Sequence, residues 1–422
     1  MSATTALLAV AVATGVSLLR QPGAGALDTM WAEDGQIFLG PAVQDGPLQP
    51  FGTSYAGYYH GIPRLLAGAA ALLPMEAAAA FLAASAAVCV ALIALLVYVA
   101  SGAHLTSPLS RLIVAAIVVA VPVAQSDILN SAANLHWYGL YALFWVFLWS
   151  PGSRIGRSLA AVVVVLVALS DILAVVFLPL ALVRAVRRTG DRRRERHALV
   201  LVAALTIGLA VQFAGLFLGV SSRPLSPDPL TAVAGYVLRA VPSAVLGDRW
   251  VGFEPTSRLF VLAAIAWLVL AVVALLAYVR PARPRWALAA AALVHSAALF
   301  AVPALLTGVS TPRYAAAPAM LVVVALVALL QPQVTRAGIE AVPDPSTVAR
   351  YAVVGLLVIV AAVNLRVNNR RADGPLWSEE LDRARTTCAG AQQSGVEIPI
   401  APRQGEGWRP WSITLPCDRL AG

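Results

Sequence analysis

Glu33 and Asp34 stand side by side in Met30-Trp31-Ala32-Glu33-Asp34-Gly35, soon after the first hydrophobic segment ends. The same stretch of chain runs on through Tyr55, Tyr58, Tyr59, His60 and Arg64. Acids at a lipid–water boundary must be solvated, paired or used in chemistry, because a bare charge in hydrocarbon is costly. Further along come Asn134, His136 and Trp137, then Asp171, Arg249 and the pair Arg313-Tyr314. A carboxylate can take a proton from an attacking hydroxyl, and guanidinium groups can hold a departing phosphate. Acids from an early loop and arginines from later ones therefore suit transfer from a lipid phosphate.

Each of these residues also has a plainer reading. The acid pair would serve equally to solvate a loop, and Arg313 to anchor a helix end by snorkelling. The tyrosines suit an interfacial belt as well as a sugar platform, and His60 suits a structural hydrogen bond. Asn134 is placed to cap a helix. Asp171 either caps a half-helix or is an intramembrane acid with a function.

The elements that must position these residues are read from composition. Of 422 residues, 59% are hydrophobic and 12% charged, against roughly 25% charged in soluble domains. Apolar runs near the ~20 residues needed to cross a bilayer recur, at 3–19, 77–100, 198–219, 259–279, 287–308, 314–330 and 351–366. The fold class expected is an all-α polytopic membrane protein. All thirty basic residues are arginine, a bias that fits GC-rich codon usage. The +9 net charge is accordingly not read as nucleic-acid binding.

Arginines at segment ends give orientation. Seven of them, at 184, 187, 188, 192, 193, 194 and 196, mark a cytoplasmic loop, with further markers at 280, 283 and 285 and at 336 and 350. Counting outward, the 220–258 loop, Thr311–Tyr314 and the tail are external, and the N-terminus is cytoplasmic. Segments 62–73, 111–125, 134–149 and 158–183 do not read as plain single spans; Ser170-Asp171 splits the last into a hairpin with an external tip. With half-helices, ten to twelve membrane helices are expected. The organisation is a membrane domain over 1–366, with a first external loop at 20–61, and an exported tail over 367–422. In an oxidising compartment Cys388 and Cys417 of that tail are able to pair.

This layout resembles the GT-C superfamily of membrane glycosyltransferases, which use polyprenyl-phosphate sugars as donors. The likeness rests on the acidic pair opening the first external loop, on Tyr58-Tyr59-His60-Gly61-Ile62-Pro63-Arg64, on Thr311-Pro312-Arg313-Tyr314 followed by Pro318, and on a tail with Trp377, Cys388, Trp411 and Leu415-Pro416-Cys417. The resemblance implies that Asp34, or Glu33, is the general base or orients the acceptor. It also implies that Arg313 with Arg64 or His60, beside Tyr314, binds the donor phosphate. Trp31, Tyr55, Tyr58, Tyr59, Asn134, His136, Asp171 and Arg249 are then candidates to line the substrate site. The partners implied are a polyprenyl-phosphate-linked sugar, a lipid or cell-envelope glycan acceptor and membrane lipids, in a bacterial plasma membrane. No motif requires a cofactor, and a divalent metal at the acids stays open. The alternatives are a transporter or flippase of a lipid-linked or polar substrate, and a non-catalytic scaffold of envelope synthesis.

Overall fold

The computed structural model describes residues 2–187, 189–218, 225–251, 257–279, 284–331, 345–366, 369–390, 394–403 and 410–420. The topology markers Arg188, Arg280, Arg283 and Arg336 lie outside the described residues. The chain is a polytopic helical membrane protein. Among the described residues six helices are long and apolar enough to span a membrane: Met75–Ser101, Arg192–Leu218, Pro229–Leu246, Ser257–Val279, Trp286–Thr307 and Pro312–Leu329. Shorter apolar helices accompany them, including Ala3–Leu19, Pro108–Val119 and Leu135–Leu148.

The helices are numbered α1 (Ala3–Leu19), α2 (Gly61–Ala70), α3 (Met75–Ser101), α4 (Pro108–Val119), α5 (Leu135–Leu148), α6 (Arg154–Ala168), α7 (Leu178–Val186) and α8 (Arg192–Leu218). They continue as α9 (Pro229–Leu246), α10 (Ser257–Val279), α11 (Trp286–Thr307), α12 (Ala316–Leu329), α13 (Pro345–Val363) and α14 (Trp377–Gly390). Two of them form the hub. Every residue of α12 is buried, as is every residue of α5 up to Phe147. A helix apolar on all sides belongs inside the protein.

The bundle has two chemically distinct ends. At the arginine end, Arg111 Nε donates to Tyr98 O (3.0 Å), Gln331 meets Thr106 (2.7 Å) and Arg285 N donates to Ala328 O (3.2 Å). At the opposite, loop end, Ser17 Oγ donates to Asn130 Oδ1 (3.0 Å), and Arg20 donates to the carbonyls of Val119, Val121 and Leu365. Segment 154–186 is a hairpin between them. Arg157 at the foot of α6 donates to Gly152 O, and Arg184 at the foot of α7 donates to the Phe147 and Trp149 carbonyls. Ser170-Asp171 form the tip at the loop end, and a 3-10 turn over Ile172–Phe177 leads back down.

The stretch expected as an external loop at 220–258 is instead helical over most of its described length. Both termini of α9 sit at the loop end: Asp228 N donates to Leu305 O (2.9 Å), and Asp248 N to Pro122 O (2.8 Å). Its hydropathy of 1.4 is the lowest of the six. Arg239 and Pro242 interrupt the apolar run and hide it, and a π turn at Tyr236–Ala240 accommodates the break.

The tail is not purely helical. After α14 come antiparallel strands β1 (Gly395–Pro399) and β2 (Ser412–Pro416), with Ile398 opposite Ile413. Cys388 and Cys417 form a disulfide. Ile398, Ile413, Leu415 and Trp377 share one buried cluster with Met30, Leu39 and Met75, so the tail and the first loop build a common cap on the bundle.

Candidate functional site

The cap is held down from below. Arg371, 2% exposed, donates to Thr29 Oγ1 (2.7 Å), Thr29 O (2.5 Å), Ala26 O (3.1 Å) and Asn130 O (2.9 Å). Asn130 takes positive φ (50°), a conformation asparagine tolerates better than most residues. With Arg20 it fixes segment 121–134 against α1.

Residues 31–39 then coil over that segment, with a π turn from Asp34 to Leu39. Neighbouring residues on a helical turn point about 100° apart, so the two acids face different surroundings. Asp34 points down. Its Oδ1 accepts from Ala133 N (2.7 Å) and Ser131 Oγ (3.5 Å), and its Oδ2 accepts from Ala132 N (3.1 Å). Burial pushes its carboxyl up to about 7, against the opposing pull of the Ala133 N–H and the Arg371 charge. Glu33 points outward and meets Arg313 Nη1 at 3.4 Å. The order in which the resemblance ranks the acids is thus reversed in the geometry: Asp34 is engaged by the loop beneath it, and Glu33 faces the cleft.

That cleft is lined by Glu33, Phe38, Tyr55, Tyr58, His60, Ala133, Asn134, His136, Trp137, Arg313 and Tyr314. A tight turn delivers the tyrosines: Tyr55 and Tyr58 exchange backbone hydrogen bonds (3.0 and 3.2 Å), and Ala56 and Gly57 between them both have positive φ, as a type I′ turn requires. The His60 ring stacks on Tyr58 with centroids 4.1 Å apart. Asn134 stands at the head of α5, but its side chain makes no cap. It donates to Asp127 O (3.0 Å) and Ser131 Oγ (3.1 Å). Trp137 and Tyr314 close one wall, centroids 5.8 Å apart. Behind the cleft, His136 Nδ1 lies 2.5 Å from Asp171 Oδ2.

Four expected residues lie elsewhere. Trp31 packs with Ala401 and Trp411 of the tail, where a parallel bridge pairs it with Ala401. Arg64 is buried on α2 with its guanidinium 5.5 Å from the Phe38 ring, so it sits behind a cleft wall. Tyr59 turns toward α8: its N–H donates to Gln212 Oε1 (2.8 Å), and a side chain at Gly215 would collide with its ring. Arg249 is exposed beside Val363 and Arg366, and its N–H donates to Asn364 Oδ1 (2.9 Å). An alternation of polar and apolar residues does not reveal which side of an irregular loop faces inward, which misplaces Trp31, Tyr59 and Arg249; Arg64 lies on α2, on a face that packs behind Phe38.

Phe38 and Ala133 went unnoticed in the sequence. A π turn aligns residues about five apart, and it places Phe38 beside Glu33, whereas a period of 3.6 would not. Among the described residues no group of three or more His, Cys, Asp or Glu comes together that could hold a metal ion.

On the far side of α5 runs an apolar furrow of about 400 Å³ between α3 and α6. Ile62, Leu92, Leu96, Leu135, Gly139, Ala142, Val162 and Val167 are among its lining residues. Its upper residues Ile62 and Leu135 are near neighbours in sequence of His60 and His136 of the cleft. No protein-family model matches this chain, and no curated protein matches it.

Proposed function

We propose that the protein is a membrane glycosyltransferase of GT-C type that moves a sugar from a polyprenyl-phosphate donor to a hydroxyl of a lipid or cell-envelope glycan. The observation that carries the reading is the Glu33–Arg313 pair at 3.4 Å. It joins residues 280 positions apart inside one aromatic-walled cleft. Arg313 is the cleft's cation and would bind the donor phosphate, since guanidinium groups match phosphate oxygens in geometry and charge.

The cleft offers about 40 Å³, room for roughly one water. A phosphate arriving at Arg313 would replace Glu33 as its partner. The cleft would open as the pair separates, and Glu33 would be left to orient the acceptor hydroxyl. Tyr55, Tyr58 and Trp137 supply faces for the sugar ring. The furrow beside α5 is apolar throughout and suits a prenyl chain whose head lies in the cleft. The run Arg184, Arg187 and Arg192 to Arg196 lies at the opposite end of the bundle, and under the positive-inside rule such a cluster supports an external cleft.

The test is the lipid that copurifies with the protein, identified by native mass spectrometry. Wild-type protein should retain polyprenyl phosphate, and Arg313→Gln should retain at least tenfold less. Wild-type protein free of that lipid, or equal retention by the variant, removes the reading.

A further inference from the structure

His136 and Asp171 come from separate elements, the first turn of α5 and the hairpin tip. They meet with Nδ1 and Oδ2 2.5 Å apart. The tip that carries Asp171 is firmly held. Ser170 Oγ accepts from Ile62 N (2.9 Å) and donates to Leu166 O (2.6 Å), and Gly61 N donates to Leu169 O (3.1 Å). The second carboxylate oxygen of Asp171 accepts from Leu173 N (2.8 Å), so the group cannot rotate away from the imidazole.

Both residues are buried, yet only His136 lines the cleft. An ionised carboxylate can only accept, so the proton between the two lies on Nδ1 and leaves a lone pair on Nε2. Among the described residues Nε2 has no hydrogen-bond partner. The acids nearby have other work: Asp34 accepts three hydrogen bonds from the loop beneath the cleft, and Glu33, once the phosphate takes Arg313, is left to orient the acceptor.

We propose that His136 is the group in this cleft that takes the proton from a hydroxyl substrate, with Asp171 as its positioning residue. The role rests on the transferase reading above. The acceptor O–H gives its proton to His136 Nε2, and the freed oxygen pair forms the new bond to the sugar anomeric carbon. The bond from that carbon to the phosphate oxygen breaks, and its electron pair leaves on the phosphate beside Arg313. Asp171 balances the imidazolium until the proton passes to the departing phosphate or to water. This divides the labour as in other carboxylate–histidine pairs, where the carboxylate orients the ring and stabilises its charged form.

Two measurements test the proposal. The first is transfer by the purified full chain in detergent, using radiolabelled polyprenyl-phosphate hexoses and pentoses with octyl glycosides as acceptors. His136→Asn should lower kcat by about 10²- to 10⁴-fold, with KM and copurified lipid within about threefold of wild type. Asp171→Asn should lower kcat by about tenfold or more, and Asp171→Glu should restore part of the loss. The acid limb of the pH–rate profile should disappear in His136→Asn and persist, displaced, in Asp171→Asn, which keeps the imidazole. The groups facing His136 are Asp171 from the tip, Tyr58 and His60 from the first loop, Trp137 on its own helix, and Glu33 with Arg313 in the cleft. A His136→Asn enzyme within threefold of wild type overturns the assignment, as does a fall in turnover matched by loss of lipid.

The second measurement needs no turnover. Carbethoxylation of His136 by diethyl pyrocarbonate, followed by peptide mass spectrometry, should slow severalfold in Asp171→Asn and be blocked by added polyprenyl phosphate. Should wild-type protein transfer no sugar, the transferase reading and the base role with it fall, and the reactivity then decides the pair alone: Asp171-dependent modification upholds an imidazole positioned by Asp171, and an unchanged rate overturns it.

Discussion

The arginine-rich run at one end of the bundle and the arginines buried beneath the cap at the other do different work. At the arginine end the guanidinium groups of Arg192, Arg193, Arg194 and Arg196 are exposed. Arg111 and Arg184 at the same end bond carbonyls at or near helix C-termini, where such groups lack intrahelical partners and cations are favoured. At the loop end Arg20 and Arg371 are almost wholly buried: Arg20 bonds the Val119 carbonyl that ends α4 and the Val121 carbonyl beyond it, and Arg371 ends on backbone carbonyls of irregular segments. Arg313 is directed at an acid in the cleft. One arginine fork carries five donors in fixed geometry and can satisfy several carbonyls at once. A buried arginine at a membrane boundary is therefore not a topological mark; that reading belongs to clusters such as Arg192 to Arg196 that water reaches. Where the chain leaves regular structure inside the protein, arginine replaces the missing backbone partners.

The sharpest way to break this comparison is to remove the fork at the loop end. Arg371→Met leaves the carbonyls of Ala26, Thr29 and Asn130 buried without their donor, and should cost on the order of 3–5 kcal/mol. Thermal unfolding in detergent, followed by tryptophan fluorescence, reads the loss. Arg371→Lys should fall between, because an ammonium cannot span the same acceptors. If Arg371→Met melts with wild type, the buried arginine is not what fastens the cap.

Arg371 also marks where sequence reading stopped. The apolar runs were legible because length and hydropathy alone specify a span, and Ser170-Asp171 was legible as a hairpin tip because two polar residues interrupt an otherwise apolar segment. Arg20 and Arg371 read only as charges near segment ends, since nothing local separates a clasp on distant carbonyls from a snorkelling side chain. The cleft was legible in part. Glu33, Tyr55, Tyr58, His60, Asn134, His136, Arg313 and Tyr314 were named and all line it. Asp34, Trp31, Tyr59 and Arg64 were placed there too, but each is turned away by a contact made across the chain. Asp34 is the clearest instance, because only the fold of segment 131–133 gives its oxygens a use.

Asp34 gives the next largest effect. Its folded value of about 7 lies above the 3.8 of a free aspartate, so folding favours its protonated form. Below about pH 4 the group costs nothing; as pH rises toward 7 the unfolded chain ionises this carboxyl while the folded state keeps it protonated, and stability falls. By linkage the loss is on the order of a few kcal/mol across that window. Melting temperatures of wild type and Asp34→Asn between pH 4.5 and 8 should diverge, with only wild type carrying this decline. Parallel curves would mean that the loop beneath ionises Asp34 without cost.

Arg313 sharpens the comparison within the loop end itself. Its pair with Glu33 is partly solvated, the two side chains being 24% and 14% exposed. Such a pair should contribute ~1 kcal/mol or less to stability. Arg313→Gln should therefore melt within a few degrees of wild type while losing the copurified lipid. A large drop in melting temperature would place Arg313 with Arg20 and Arg371 as a structural clasp and leave the cleft without its phosphate ligand.

The smallest effect belongs to the arginine end. Arg193 has an exposed side chain, and the hydrogen bond at its position runs from its backbone N to Asp191 Oδ1 (2.8 Å), which a substitution leaves intact. Arg193→Gln should shift stability by no more than ~0.5 kcal/mol and leave lipid retention unchanged. Its neighbours Arg192, Arg194 and Arg196 keep the local charge bias, so orientation should also hold in a protease-accessibility assay on inverted vesicles. The substitution removes the same charge as Arg371→Met, so the pair of experiments isolates surroundings from residue type. A destabilisation by Arg193→Gln approaching that of Arg371→Met would show that charge count, and not the carbonyls a guanidinium satisfies, sets what arginine contributes here.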